Sequence, residues 1–221
     1  MKIKICGLKR IEDIYYVNHA MPDWIGFVFA GKKRKIDFDT AYMLKKALKP
    51  EIASVGVFVN EEHSFVMRLV ENEVVDMVQL HGDETEDYIL TLRSALEAKG
   101  KGKTPIIKAV RVKDMEQVLE AEHLSVDYLL LDAFTAEEYG GSGKVFDHKL
   151  IPNLTKPYIL AGGIGSENVK PILHTLSEAE KLPICVDVSS AVEINGFKDE
   201  QRILEMVSAV RQMDESYITT K

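Results

Sequence analysis

Cysteine is scarce in this chain. Cys6 and Cys185 are the only two among 221 residues, they stand far apart, and no C-x-x-C occurs. No disulfide framework is therefore encoded, and a reducing cytoplasm is the expected setting. Long apolar runs are missing too: none approaches the roughly 20 residues of a membrane helix. The N-terminus enters a strand-like run with no signal-peptide core before it. Positive charge is in deficit, with 28 Lys and Arg against 35 Asp and Glu and a net charge of -7. No basic stripe dominates any element, so neither nucleic acid nor a membrane is an expected partner. The one basic cluster is Lys32-Lys33-Arg34-Lys35. Domain linkers, low-complexity tracts and internal repeats are absent as well. What is present is the composition of a soluble globular protein, 46% hydrophobic and 29% charged, and the chain is long enough to bury a core without cross-links.

Strand-like and helix-like segments alternate along the chain. Strands are expected at 2–8, 24–30, 54–60, 75–81, 105–111, 127–133, 157–162 and 184–190. Runs such as Tyr128-Leu129-Leu130-Leu131 are apolar at consecutive positions, as a strand covered on both faces requires. Between the strands lie amphipathic stretches at helical spacing. Their apolar faces are Ile11, Ile14, Tyr15 and Val17; Ala41, Leu44, Ala47 and Leu48; Phe65, Leu69 and Val70; Ile89, Leu92 and Leu96; Met115, Val118 and Leu119; Val169, Ile172, Leu173 and Leu176; and Ile203, Val207 and Val210. Eight strand–helix units in about 215 residues imply an α/β protein, a single-domain (β/α)8 TIM barrel over 1–213 with a polar tail over 214–221. A doubly wound open sheet is the alternative that alternation alone leaves open. The sixth unit is irregular: 134–145 reads as a loop, followed by a short helix near 146–151.

Barrel enzymes build their sites from strand C-termini and the loops after them. Cys6 falls there, on an alternating strand (Lys2, Ile3, Lys4, Ile5) that ends in Cys6-Gly7. An isolated cysteine in an apolar strand is by default a small buried hydrophobe, and Cys185, mid-strand, is read that way. Cys6 has company. Strand 4 ends in Gln79 and His81, strand 6 in Asp132, strand 7 in Ala161-Gly162-Gly163-Ile164 and strand 8 in Asp187-Val188-Ser189-Ser190, while Arg34 follows strand 2. The glycine segments Gly140-Gly141-Ser142-Gly143 and Gly162-Gly163 suit a phosphate, because glycine lets several backbone N–H groups approach an anion. Ser189-Ser190 precedes a turn able to start a short helix that adds further N–H groups.

At this point the chain resembles the phosphoribosylanthranilate isomerase family. The resemblance rests on Lys4-Ile-Cys-Gly-Leu8, Gly26-Phe-Val-Phe29 followed by Lys33-Arg34, Val55-Gly-Val-Phe-Val59 and Val78-Gln-Leu-His-Gly-Asp83. It continues through Leu131-Asp132, Gly140-Gly-Ser-Gly143 with Phe146-Asp147, Ala161-Gly-Gly163 with Glu167-Asn-Val169, and Asp187-Val-Ser-Ser190 with Val192-Glu193 and Lys198-Asp199. It extends from residue 2 to about residue 210. It implies a ribulose-phosphate-binding barrel of tryptophan biosynthesis, monomeric or homodimeric. Such an enzyme converts N-(5-phospho-β-D-ribosyl)anthranilate to 1-(2-carboxyphenylamino)-1-deoxy-D-ribulose 5-phosphate by an Amadori rearrangement, without cofactor or metal.

By resemblance Cys6 is the general base and Asp132 the general acid. Positive or dipolar surroundings would then favour the Cys6 thiolate, and burial or a neighbouring anion would keep a proton on Asp132. Arg34 is expected to take the anthranilate carboxylate through its two-pronged guanidinium, with Lys32, Lys33 and Lys35 as a solvated run. His81 and Asp187 are expected at the substrate, and Gly141, Ser142, Gly143, Gly162, Gly163, Ser189 and Ser190 at its phosphate. The chain departs from the family pattern in having Ala191 for a glycine, Ser142 for a threonine, His148 for a tryptophan, Asn195 for a proline and Lys9 for a Thr or Ser. Ala191 would be strained if the backbone there required positive φ. Two other readings remain: a phosphate-binding barrel of the indole-glycerol-phosphate synthase kind, for which Lys108 is the single candidate lysine, and a non-catalytic phosphate-ligand binder.

Overall fold

The structure is a computed structural model and describes residues 1–133 and 150–218. The expected loop at 134–145, most of the expected helix at 146–151, and Gly141, Ser142 and Gly143 lie outside those residues. Eight parallel strands close into a barrel: β1 (Lys2–Cys6), β2 (Trp24–Val28), β3 (Ala53–Phe58), β4 (Met77–Leu80), β5 (Ile106–Val112), β6 (Tyr128–Ala133), β7 (Tyr158–Leu160) and β8 (Cys185–Val188). Each pairs with the next and β8 closes on β1. Closure decides between the barrel and the open sheet.

The helices are α1 (Ile11–Ala20), α2 (Phe38–Ala47), α3 (His63–Glu71), α4 (Glu86–Ala98), α5 (Met115–Glu122), α6 (Val169–Glu178) and α7 (Glu200–Ile218). Their starts follow local chemistry. Asp37, Thr85 and Asp114 each accept a hydrogen bond from the backbone N–H three residues on, satisfying a donor the first turn leaves unpaired. At α1 the buried Asp13 carboxylate accepts from the backbone of Lys9 and Arg10 and pairs with the Arg10 guanidinium at 2.7 Å.

Two apolar clusters result. The larger lies between barrel and helices and takes the outward residues of the strands, such as Ile3, Ile5, Leu129 and Leu131. The smaller fills the barrel with the inward residues Trp24, Val55, Met77, Ile107, Leu130, Ile159 and Cys185. Cys185 is thus a core residue. Most helical faces pack as their spacing implies, but Ile11, Tyr15, Met115 and Leu119 are exposed. They stand at the edges of their apolar stripes.

A two-stranded hairpin, β9 (Glu193–Ile194) with β10 (Phe197–Lys198), has no counterpart in the expected elements. Asn195 (φ 52) and Gly196 (φ 77) turn it. Positive φ at both central positions is the turn that Asn-Gly favours, because its twist matches that of paired strands. Here Asn195 stands in place of the family's proline.

Leu131, fully buried behind the strand that carries Asp132, tests this packing. Leu131→Ala is expected to lower unfolding free energy by about 2–5 kcal/mol in a urea titration. A loss near zero would mean the outward layer does not hold the sheet.

Candidate active site

The inward side chains at the C-terminal ends of the strands open into a cavity of about 750 Å³. Cys6, Arg34, His81, Asp132, Gly162, Gly163, Asp187, Ser189 and Ser190 all line it. Lys32 and Lys33, expected as solvated bystanders, are exposed yet stand on its rim, where they add positive potential at the entrance.

Register places the thiol. Cys6 pairs with Gly26 on β2, and a Cβ at Gly26 would come within 2.6 Å of Cys6 Sγ. Glycine is therefore what leaves the thiol its room. The positive surroundings expected of the thiol are present, but burial outweighs them. Burial pushes the Cys6 thiol above its ordinary range, the Lys4 ammonium pulls it back, Asp187 raises it, and Lys198 again lowers it. Desolvation outweighs the two cations, so the thiol form is favoured rather than the thiolate.

Beneath the thiol lies a polar layer in which two members, Lys4 and Gln79, were assigned no role from the sequence. Lys4 is fully buried inside the barrel, one step below Cys6 on the same inward face. Its direct neighbour in the β1–β8 register is Asp187. Lys4 Nζ donates to Asp187 Oδ1 at 3.1 Å and to Gln79 Oε1 at 2.9 Å. Burial alone would lower the Lys4 ammonium, but Asp187 and Cys6 more than reverse it and hold the proton on. Burial pushes the Asp187 carboxyl up while Lys4 pulls it down. Gln79 Nε2 continues the chain to His81 Nδ1 at 2.9 Å, and His81 Nε2 faces Asp132 Oδ2 at 3.5 Å. The polar groups of β1, β4, β6 and β8 thus run from beside the thiol to the facing carboxyl.

Arg34 is not a free fork. Its Nε and Nη2 donate to the two carboxylate oxygens of Glu193 at 2.7 and 2.9 Å. The cross-strand neighbour of Glu193 in the hairpin, Lys198, is buried and donates to Glu193 Oε1 at 2.8 Å and to the Ser189 carbonyl at 2.8 Å. Burial raises the Glu193 carboxyl, but Arg34 and Lys198 outweigh that and bring it down to about 2. The arginine stem also lies on Gly7, whose φ is +87° and where a Cβ would fall 2.3 Å from Arg34 Cδ. Neither Glu193 nor Lys198 received a role from the sequence, although both stood in the family motif. A short-range signal existed: an acid and a base flanking Asn-Gly at cross-strand spacing.

At the other end, Gly162 (φ 87) and Gly163 (φ 65) adopt backbone that side chains disfavour. Asn168 braces their loop by donating to the Gly163 carbonyl and accepting from the Gly165 N–H, each at 2.8 Å. Ser189 and Ser190 lie beside it, but the Ser189 hydroxyl donates to the Cys6 carbonyl at 3.0 Å, so its side chain is engaged within the barrel. A short 3-10 turn, Ser190–Val192, follows. Ala191 lies within it without positive φ, which removes the strain its substitution for glycine suggested. Lys108 does not line this cavity. It is paired with Glu84 at 2.7 Å and bound to the Gly82 carbonyl, clamping loops together.

A closed parallel barrel with a thiol, a carboxyl and two positive-φ glycines lining one cavity at the strand C-termini has the architecture of a (β/α)8-barrel enzyme. Comparison with known proteins narrows this. The family described as N-(5'-phosphoribosyl)anthranilate (PRA) isomerase matches residues 3–209, and the chain belongs to it. It is 46% identical to N-(5'-phosphoribosyl)anthranilate isomerase of Endomicrobium trichonymphae over 212 residues, 96% of this chain and 99% of the relative. The solved phosphoribosyl anthranilate isomerase of Thermotoga maritima superposes with a TM-score of 0.80 at 30% identity, covering 96% of this chain and 99% of that one. A phosphoribosyl anthranilate isomerase solved with reduced 1-(o-carboxyphenylamino)-1-deoxyribulose 5-phosphate superposes at 0.75 with 27% identity, covering 96% and 99%.

The Glu193 cluster predicts a pH signature. A carboxyl at about 2 in the folded chain, against the ordinary 4.5, stabilises the fold fully above pH 4.5 and loses that contribution as pH falls toward 2. The stability advantage of the parent over Glu193→Gln should therefore shrink across that window in denaturant titrations. A constant difference would show that the carboxylate is not held by Arg34 and Lys198.

Proposed function

We propose that Cys6 and Asp132 are the base and the acid of the isomerase reaction that defines this family. The protein is an isomerase of tryptophan biosynthesis, converting N-(5-phospho-β-D-ribosyl)anthranilate to 1-(2-carboxyphenylamino)-1-deoxy-D-ribulose 5-phosphate. The observation that carries the assignment is the placement of the two groups. They project into one cavity from β1 and β6, three strands apart around the closed barrel.

In this reading the Asp132 carboxyl delivers a proton to the ribose ring oxygen as the ring opens. The Cys6 thiolate, formed by loss of the thiol proton to solvent, takes the proton that leaves C2. The resulting enolamine tautomerises to the ketone by gaining a proton at C1 and losing the one on O2, and Cys6 and Asp132 regain their starting forms by proton exchange with solvent. No cofactor enters and no atom is gained or lost. The raised basicity of Cys6 makes it a strong base once ionised, and Lys4 and Lys198 stand close enough to favour that form as the proton is exchanged. Arg34 takes the anthranilate carboxylate on the edge left open by Glu193, the terminal Nη1–Nη2 pair. Glu193 thereby fixes the plane of the guanidinium without cancelling the local charge, because Lys198 balances it. His81 and Asp187 face the sugar. The phosphate lies at Gly162, Gly163, Ser189 and Ser190, held mainly by backbone N–H groups, with Gly141, Ser142 and Gly143 joining by resemblance.

Lys108, the one candidate for the lysine acid of the synthase reading, does not line this cavity and is paired with Glu84. Among the described residues no helix is long and apolar enough to cross a membrane. We place the enzyme in the cytoplasm, as a monomer or homodimer, with 1–213 as the catalytic barrel and 214–221, which α7 enters as far as Ile218, as a polar tail.

Turnover of freshly generated phosphoribosylanthranilate, followed by the loss of anthranilate-type fluorescence, tests the assignment. Cys6→Ala and Asp132→Asn are each expected to lower kcat by roughly 10²–10⁴-fold while the folded protein still binds a reduced product analogue. Near-parent turnover in either variant would remove that residue from its role.

A further inference from the structure

We propose that Gln79 is a positioning residue that locks His81 as a neutral imidazole with its proton on Nε2, making His81 a fixed hydrogen-bond donor to Asp132 rather than a proton shuttle. The inference deepens the acid–base reading above and rests on it.

The argument begins at Lys4. A lysine ammonium has three donors and no acceptor, so whatever meets Lys4 Nζ must accept. Gln79 meets it at 2.9 Å, and the only acceptor on that amide is Oε1. The amide orientation, ordinarily ambiguous, is therefore dictated by chemistry. With Oε1 turned to Lys4, the atom 2.9 Å from His81 Nδ1 is the amide nitrogen, which has only protons to offer. Nδ1 must then accept and carries no proton. The ring proton of His81 resides on Nε2, the atom that faces Asp132 Oδ2 at 3.5 Å. That separation is slightly beyond a full hydrogen bond and is of the kind catalytic pairs close when substrate is bound.

The barrel enforces the arrangement. Lys4 and Gln79 are both almost wholly buried, so water does not supply substitute partners. The pairing of Lys4 with Asp187 keeps the ammonium charged. Lys4 has no reason to release its proton, Gln79 has no freedom to flip, and His81 cannot accept a second proton at Nδ1 without losing its partner.

The consequence falls on Asp132. A donor at Oδ2 assigns that oxygen as the acceptor, so the transferable proton of the acid sits on Oδ1. As that proton passes to the ribose oxygen, the carboxylate left behind draws the Nε2–H into a full hydrogen bond. His81 neither gains nor loses a proton during turnover.

Gln79→Glu inverts the logic. A carboxylate has no donor, so it accepts from Lys4 and also from His81, drawing a proton onto Nδ1. The probe is long-range ¹H–¹⁵N NMR of ¹⁵N-histidine-labelled protein, with the His81 signals assigned by their disappearance in His81→Asn. The parent is expected to show a protonated Nε2 and an unprotonated Nδ1. Gln79→Glu is expected to show a protonated Nδ1, with kcat down roughly tenfold or more and KM within roughly threefold. A parent ring protonated at Nδ1 overturns the proposal, whatever the variant does, so failure of the variant to fold leaves it testable. An altered ring in Gln79→Glu with unchanged kcat overturns the catalytic consequence. The acid assignment is judged separately: Asp132→Asn with near-parent turnover would defeat that reading while leaving the His81 tautomer as observed.

Discussion

The buried Lys4 ammonium organises this site. Placing a lysine charge inside a barrel costs several kcal/mol unless it is paired and hydrogen-bonded. Lys4 meets that demand with two partners. Asp187 is its neighbour across the β1–β8 register, and Gln79 reaches it from β4 on the far side of the barrel. Because both partners must accept, the charge dictates the orientation of groups well beyond its own contacts. It also stands next to the Cys6 thiol, where it offsets part of what burial does. The barrel floor is therefore part of the chemistry rather than filler.

The second organising element is the Arg34–Glu193–Lys198 cluster. It joins the loop after β2 to the hairpin after β8, and so links the expected carboxylate end of the substrate to the expected phosphate end. A lone arginine reaching over a cavity samples many rotamers and loses that freedom on binding. Here Glu193 holds the guanidinium on two nitrogens and Gly7 makes room for its stem. The cost of ordering Arg34 is thus met during folding. The hairpin that supplies Glu193 exists because Asn195-Gly196 accepts positive φ at two successive residues, a local property with a consequence 159 positions away in sequence.

Much of the fold was legible because parallel barrels write themselves in runs of consecutive apolar residues separated by amphipathic stretches. All eight expected strands are present among the described residues, and Cys185 lies in the core as its mid-strand position implied. The misreadings have physical causes. Ile11, Tyr15, Met115 and Leu119 fit helical spacing, but at the margin of a stripe a residue's burial depends on how the helix leans on its neighbours. Lys4 and Gln79 are polar residues whose partners lie on other strands, and no local pattern announces such pairings; Glu193 and Lys198 carry a local signal in the Asn-Gly between them, but nothing local announces the reach of Glu193 to Arg34. Positive or dipolar surroundings were expected to favour the Cys6 thiolate because the role of base calls for that form. The cations are present, but the depth of burial, which no linear pattern displays, outweighs them.

The sequence by itself determined the alternation of strands and helices, the end of the barrel at which reactive groups collect, and the family. These follow from short-range periodicity and from residue types at fixed spacing, which the chain carries in its order. Only the tertiary structure decided that the sheet closes, that Arg34 is already gripped along one edge, and that a buried lysine fixes an amide and through it an imidazole. Those outcomes depend on strand register and on exclusion of water, and both arise only when residues distant in the chain are brought to within a few ångströms.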